Sequence, residues 1–237
     1  MSDQLRFLLE NLQHLLIGFP GKQSGGLMMS ILLAITGIGL GFCLAVPLAL
    51  GQNGRFFALR WLCRRFVDIF RGIPLILLLL LIFQVIGSGR FGFRLEPRGA
   101  AIISLALYSA AYQAEIIRAG LNALPVRLDE TARLFGYRPW QRLLLVRLPY
   151  AIRTMLPALT GQAISLFKDT SVVIVVGMPE LMMSARILLG NDVNNAPYWI
   201  GVYLTVGLLY FIVAFGLSKL AERFEPPSGR LQVASSV

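Results

Sequence analysis

Apolar residues run through this chain in stretches longer than a soluble core helix needs, at about 27–50, 66–86, 99–117, 151–178 and 198–218. About 20 helical residues cover a bilayer core of about 30 Å, so the pattern predicts an all-α integral membrane protein with five transmembrane helices. The first stretch, Leu27 to Leu50, and the last, Tyr198 to Ser218, carry no charge. In the first, Gly37, Gly39 and Gly41 place small residues four apart on one face, which allows a neighbouring helix to approach closely. In the second, only Ile73 to Ile86 is uncharged, and Pro74 suits a first helical turn, so Asp68 and Arg71 are expected at the interface.

The remaining segments are predicted from shorter patterns. Leu5, Leu8, Leu9, Leu12, Leu15, Leu16 and Phe19 recur at helical spacing, with Arg6, Glu10 and Gln13 opposite and Pro20-Gly21 as a stop. Residues 1–26 therefore form an amphipathic segment whose helix either lies at the membrane surface or packs on the bundle. The first apolar run starts after a mixed-charge head and is too long for a signal-peptide core, so it is expected to remain as a span. The tail 219–237 turns polar after Glu225-Pro226-Pro227.

Charge then orients the bundle. The chain has 22 Lys and Arg against 12 Asp and Glu. The basic residues gather in alternate segments, five in 51–71, seven in 118–153 and three at the C-terminus, against two, three and one in the others. The positive-inside bias puts the N-terminus outside and the C-terminus in the cytoplasm. The basic balance is a topology signal and not a nucleic-acid footprint.

Two of the spans carry polar groups that lipid would reject. Ser104, Tyr108 and Tyr112 recur every fourth residue with Glu115 close by, a stripe suited to interhelical hydrogen bonds or to a hydrated path. Lys168-Asp169-Thr170-Ser171 interrupts the fourth stretch, roughly 22 Å of helix beyond Arg153. Adjacent residues on a helix do not face each other, so Lys168 and Asp169 each need a partner elsewhere, either a solute or another helix.

The loop 118–150 is longer than two neighbouring helices need, and Pro125, Pro139 and Pro149 divide it. Val126 to Tyr137 is predicted as a short helix, with Asp129 and Glu130 at its start and Gly136 to end it. Leu128, Ala132 and Phe135 give it an apolar strip, and a helix this short is marginal without something to dock against.

Glu130-Thr131-Ala132, then Gly136, then Val146-Arg147-Leu148-Pro149 resembles the EAA loop of bacterial ATP-binding cassette importer permeases, with Thr131 and Val146 as its two departures. Phe70-Arg71-Gly72-Ile73-Pro74-Leu75, Ala111 to Gly120 and Lys168-Asp169-Thr170-Ser171 resemble the polar amino acid branch of histidine, glutamine and general amino acid permeases. The resemblance spans 27 to about 225. It implies a multi-pass protein of the bacterial inner membrane, paired with a second permease, identical or a sister. A cytoplasmic ATPase would grip the loop through Glu130, Thr131, Ala132, Gly136 and Pro149. A periplasmic or lipid-anchored binding protein would deliver the amino acid. Tyr112, Glu115, Lys168, Asp169 and Ser171 would line its path, with Glu115 suited also to a gate or an ion pair.

Nothing in the chain points to chemistry of its own. The Gly21-Lys22-Gln23-Ser24 stretch lacks the spacing of a phosphate loop, His14 stands alone, and Cys43 and Cys63 read as small buried residues. No cofactor is expected, ATP being bound by the partner. The rival readings are a permease of this architecture for another small solute and, from other classes, an intramembrane enzyme or a passive scaffold. The enzyme lacks a paired catalytic set, and intramembrane charges and a long loop are unexplained in a scaffold.

Overall fold

The computed structural model describes residues 3–19, 25–90, 92 and 94–223, and every element in it is helical. The expected stop at Pro20-Gly21, the Gly21–Ser24 stretch and the tail beyond Glu225 lie outside the described residues. In order, the helices are α1 (Asp3–Ile17), α2 (Gly26–Gln52), α3 (Phe57–Gly72), α4 (Leu75–Leu80) and α5 (Pro97–Asn122). They are followed by α6 (Val126–Leu134), α7 (Pro139–Gln141), α8 (Leu148–Thr154), α9 (Leu156–Asp169), α10 (Leu181–Gly190) and α11 (Trp199–Glu222). Four helical stretches, 26–52, 97–122, 156–176 and 193–222, are long and apolar enough to cross a membrane, and a bent pair makes a fifth.

That bent pair corrects the expected second span. Residues 66–86 are not one helix: α3 ends at Gly72, α4 starts at Leu75, and their axes differ by 105°. Pro74 is the cause, because its ring pushes Ile73 out of the helical region to φ −94, ψ 127. The Arg-rich connector is itself most of α3. Cys63 and Val67, four apart, face the bundle, while Arg64, Asp68 and Arg71 are exposed on another side and Leu62 and Ile69 on a third. After α4 the chain widens into a π-helical turn over Leu81–Ile86 that ends at Gly87.

The expected fourth span, 151–178, is also divided. A break at Met155 separates α8 from α9, and a 3₁₀ turn, Thr170–Val176, carries the chain to a left-handed Gly177. The third helix outruns its expected end at 117 and reaches Asn122, and a 3₁₀ turn, Val193–Tyr198, precedes α11. The connector expected over 179–197 holds the apolar helix α10.

Close packing of α2 on α5 organises the bundle. A Cβ added at Gly37 would lie 3.0 Å from Leu105 Cβ, and one at Gly41 only 2.8 Å from Ser109 Cβ, whereas Gly39 faces open space. Two of the three glycines therefore set the helix separation. Leu33, Leu75, Leu79, Leu105, Leu166 and Val173 fill one core around this contact. The Nε2 of Gln113 donates to Ser109 Oγ at 2.6 Å and to Ile38 O at 3.2 Å, which satisfies a polar group buried in the same seam.

A second core joins α1, α10 and α11 around Leu15, Leu181, Ala185, Leu188, Val202 and Val206. It decides between the two readings of α1: Leu15 is fully buried and Phe7 stacks on Tyr198 at 4.3 Å, so the helix packs on the bundle. Leu5, Leu9 and Ile17 stay exposed on its other side. Most of α11 is outward-facing and apolar, with Leu204, Leu208, Phe211 and Phe215 all exposed. In water such a surface would associate. In a bilayer it is ordinary lipid-facing helix.

Candidate functional site

The loop between α5 and α8 folds as a small, self-contained unit. Pro125 precedes α6 with φ −60, and its carbonyl accepts from Leu128 N at 3.0 Å. At the other end Gly136 takes φ +76, Gly136 N donates to Arg133 O at 2.9 Å, and Tyr137 N donates to Ala132 O at 3.1 Å. These two bonds are a Schellman cap, which uses a left-handed residue to satisfy the last carbonyls of a helix. A Cβ at Gly136 would meet nothing within 4 Å, so the glycine is required by backbone conformation and not by lack of space.

A second helical run supports α6 from below. The chain enters α7 at Pro139, widens into a π-helical turn over Arg142–Arg147 and resumes as α8. Pro149 explains the widening: it has no N–H for Leu145 O, and its ring crowds that carbonyl. Arg142 Nη1 donates to Asp129 Oδ2 at 2.7 Å, joining the start of α6 to this run. Ala132 is 5% exposed, and a small residue there lets the two pieces meet.

The residues singled out from sequence therefore separate by role. Glu130 is exposed, and Thr131, also exposed, donates its hydroxyl to Arg127 O at 2.8 Å. Ala132, Gly136 and Pro149 shape the unit from within. The expected apolar strip is split, since Ala132 faces inward while Leu128 and Phe135 face outward. Val126, Leu134, Phe135, Tyr137 and Trp140 are exposed as well, which leaves α6 with an unpartnered apolar rim around its acidic start.

The second group, expected along a path, lies deeper. On α5, Ser104 is fully buried and its hydroxyl donates to Ala100 O at 2.7 Å, so it belongs to the helix and not to a stripe. Tyr108 and Tyr112 remain, with ring centroids 4.8 Å apart. The Arg71 guanidinium lies 5.4 Å from the centroid of the Tyr112 ring, and Tyr112 OH reaches Arg71 O at 3.5 Å, which links α5 to the end of α3. Glu115 pairs with Arg118 one turn on, Arg118 Nε donating to Glu115 Oε2 at 2.9 Å. An ion pair is one of the roles expected of Glu115.

On α9, Lys168 is exposed and Asp169 half-buried at the last turn before the 3₁₀ segment. Ser171 donates its hydroxyl to Lys168 O at 2.9 Å, which leaves that oxygen only as an acceptor for anything else. Tyr108 and Val172 both pack against the core that contains Val173. Glu115 is seven residues farther along α5 than Tyr108, roughly 10 Å nearer the loop. The five path residues thus fall into two groups, Lys168, Asp169 and Ser171 around the end of α9, and Tyr112 and Glu115 on α5.

The chain matches the family model described as "Binding-protein-dependent transport system inner membrane component" over residues 27–226. The chain belongs to that family. It is a multi-pass inner-membrane component of a binding-protein-dependent transport system, in which ATP hydrolysis is the work of a separate subunit. It is 32% identical over 200 residues to the probable glutamine ABC transporter permease protein GlnP of Bacillus subtilis strain 168, covering 84% of this chain and 90% of that one. It is 31% identical over 214 residues to the inner membrane amino-acid ABC transporter permease protein YhdY of Escherichia coli strain K12, covering 86% of this chain and 56% of that longer one. Among solved structures, an amino acid ABC transporter crystallised with histidines aligns with a TM-score of 0.80 at 28% identity, over 95% of this chain and 98% of that one.

Sequence reasoning missed one buried acid. Glu180 is fully buried and caps α10, its carboxylate accepting from Met182 N and Met183 N, both at 2.9 Å. The signal was present as an acidic residue immediately before an apolar helical run, the position an N-cap takes. Arg142, the partner of Asp129, was missed too, because no spacing rule links residues thirteen apart across a turn.

Proposed function

We propose that this chain is the translocation subunit of an ATP-driven importer for polar amino acids. In this reading the N-terminus is outside, the C-terminus is cytoplasmic, and α6 is the helix through which a cytoplasmic ATPase acts. Two permease subunits, identical or sister, enclose the path, and a solute-binding protein loads it from outside. The observation that carries the coupling reading is α6 itself, a helix of nine residues fastened at both ends, with an exposed acid and an unpartnered apolar rim. A helix so short is marginal alone, and its rigid capping suits an element that must transmit displacement. The bias of Lys and Arg toward alternate segments supports the cytoplasmic placement.

The amino acid class is supported by the relatives, one described for glutamine and one for amino acids, and by the solved transporter crystallised with histidines. Asp169, Lys168 and Ser171, with Tyr112 and Glu115 on α5, are proposed as the half-path that each subunit contributes. An α-amino acid presents an ammonium and a carboxylate, which an acid and a base on adjacent helix positions can contact from two directions.

The test is reconstitution. The chain, purified with its native partners and placed in liposomes, should take up labelled polar amino acids only with ATP and the binding protein. Uptake indifferent to ATP, or no ATPase in the purified complex, would refute the reading.

A further inference from the structure

We infer that Glu180 is a positioning residue that fastens α2, α10 and α11 into one block, which keeps its shape while the rest of the subunit moves. Its carboxylate serves more than its own helix. Besides the two amide donors of α10, Oε2 accepts from Tyr210 OH at 3.0 Å and from Ser30 OH at 3.4 Å. Four donors from three helices therefore converge on one carboxylate, with Met182 N, Tyr210 OH and Ser30 OH on Oε2 and Met183 N on Oε1. A surface N-cap requires only the amides of its own helix. Here the same group also reaches thirty residues forward to α11 and a hundred and fifty back to α2.

Neighbouring bonds lie in the same knot. Leu181 N donates to Ser30 Oγ at 3.2 Å, and Gly26 N donates to Ser184 Oγ at 3.0 Å and to Pro179 O at 3.1 Å. The first turn of α2 is thus tied to both sides of Glu180. Ser30, Glu180 and Ser184 are all buried, so each of these bonds is shielded from water. Removing one acceptor leaves several buried donors unpaired at once, which makes the knot hold together or fail as a unit.

Its location gives the knot a purpose. Ser30 stands near the start of α2, and the other end of α2 is tied to the end of α5 by Asn53 Nδ2 donating to Asn122 Oδ1 at 3.2 Å, just before the loop that carries α6. Glu180 is therefore roughly 33 Å of helix from the point where force would arrive. A displacement applied at α6 needs a fixed point at the far end if it is to become rotation rather than drift of the whole subunit. The block around Glu180 is the fixed point.

The experiment measures the block directly. Spin labels placed at Met28 on α2 and Arg186 on α10, both exposed, report their separation in the assembled transporter, nucleotide-free and ATP-bound. In the otherwise native chain the distance distribution should be narrow and the same in both states. In Glu180→Gln, which keeps the shape but turns one acceptor into a donor, the distribution should broaden and ATP-driven uptake should fall about tenfold, the factor for one lost charge-assisted bond. Tyr210→Phe removes a single donor and should move both readouts the same way by a smaller factor, and it decides the matter if Glu180→Gln does not assemble. An ATP-dependent change of distance in the native chain, or variants with unchanged distances and uptake, would overturn the inference. The distance readout needs no transport, so its failure is distinguishable from failure of the importer reading.

Discussion

The left-handed cap at Gly136 gives the coupling reading its sharpest test. At φ +76 an alanine places its Cβ against its own backbone, which costs about 1 kcal/mol, whereas asparagine tolerates this region because its short polar side chain bonds locally. Among the described residues nothing beyond the chain neighbours comes within 4 Å of the added atom, so the cost is conformational. If only the capped form of α6 can dock, a penalty of about 1 kcal/mol reduces the docked fraction by a factor of about five. The second consequence is an order of tolerance. A conformational requirement predicts Gly136→Asn close to native and Gly136→Ala impaired, although asparagine is the larger residue. A steric requirement imposed by a partner surface predicts the reverse.

The assay is ATP-dependent uptake in liposomes, with the amount of ATPase subunit retained on the purified complex measured beside it. Gly136→Ala should lose several-fold of both, with the same quantity of chain inserted in the membrane, and Gly136→Asn should retain most of each. Equal uptake by all three would show that the Schellman cap does not matter to docking. Alanine outperforming asparagine would move the role of Gly136 from the backbone to the partner interface.

The other predictions concern the supports of that helix and of the bundle. Glu130→Ala removes an exposed acid from the start of α6 and should cut ATP-coupled uptake while insertion stays intact; normal transport would take Glu130 out of the coupling role. Asp129→Ala and Arg142→Ala should each weaken coupling, and a double-mutant cycle on retained ATPase should return an interaction of about 1 kcal/mol, as expected of a pair that is partly exposed. Gly41→Val would drive a side chain into Ser109 and Ala110, at a cost of about 1–3 kcal/mol, and should lower the yield of monodisperse protein, whereas Gly39→Val meets open space and should not.

What the sequence made legible follows from which interactions are local. Apolar length located the helices, and the glycines of α2 foretold that some helix would approach it closely, because each is a property of one helix face. The loop was equally readable: Gly136 and Pro149 act on the backbone within four residues of themselves. Two of the errors are places where a helix was expected to run on. Pro74 was assigned to a first turn, which it nearly is, yet the bend of 105° depends on Cys63 and Val67 holding α3 against the bundle while Leu75 and Leu78 bury α4 elsewhere. Met155 carries no breaker signal of its own, and Pro157 just beyond it sits in a first turn that starts a new helix.

Glu180 shows the deeper limit. As a string, Met178-Pro179-Glu180 reads as a connector between two spans, and an acid in a connector is expected to face water. The burial of α10 reverses that expectation. A helix placed among apolar neighbours still has amide donors at its start that water cannot reach, and an unpaired buried donor is costly. A carboxylate is the acceptor that can serve two of them and still reach other donors. Having been drawn inside for the cap, it must also regain the hydrogen bonds that water would have given it, and Tyr210 and Ser30 supply two. The need to end one short helix in an apolar setting thus recruits two distant ones. That is why a residue in an apparent connector joins α2, α10 and α11, and why no spacing within the sequence could have announced it.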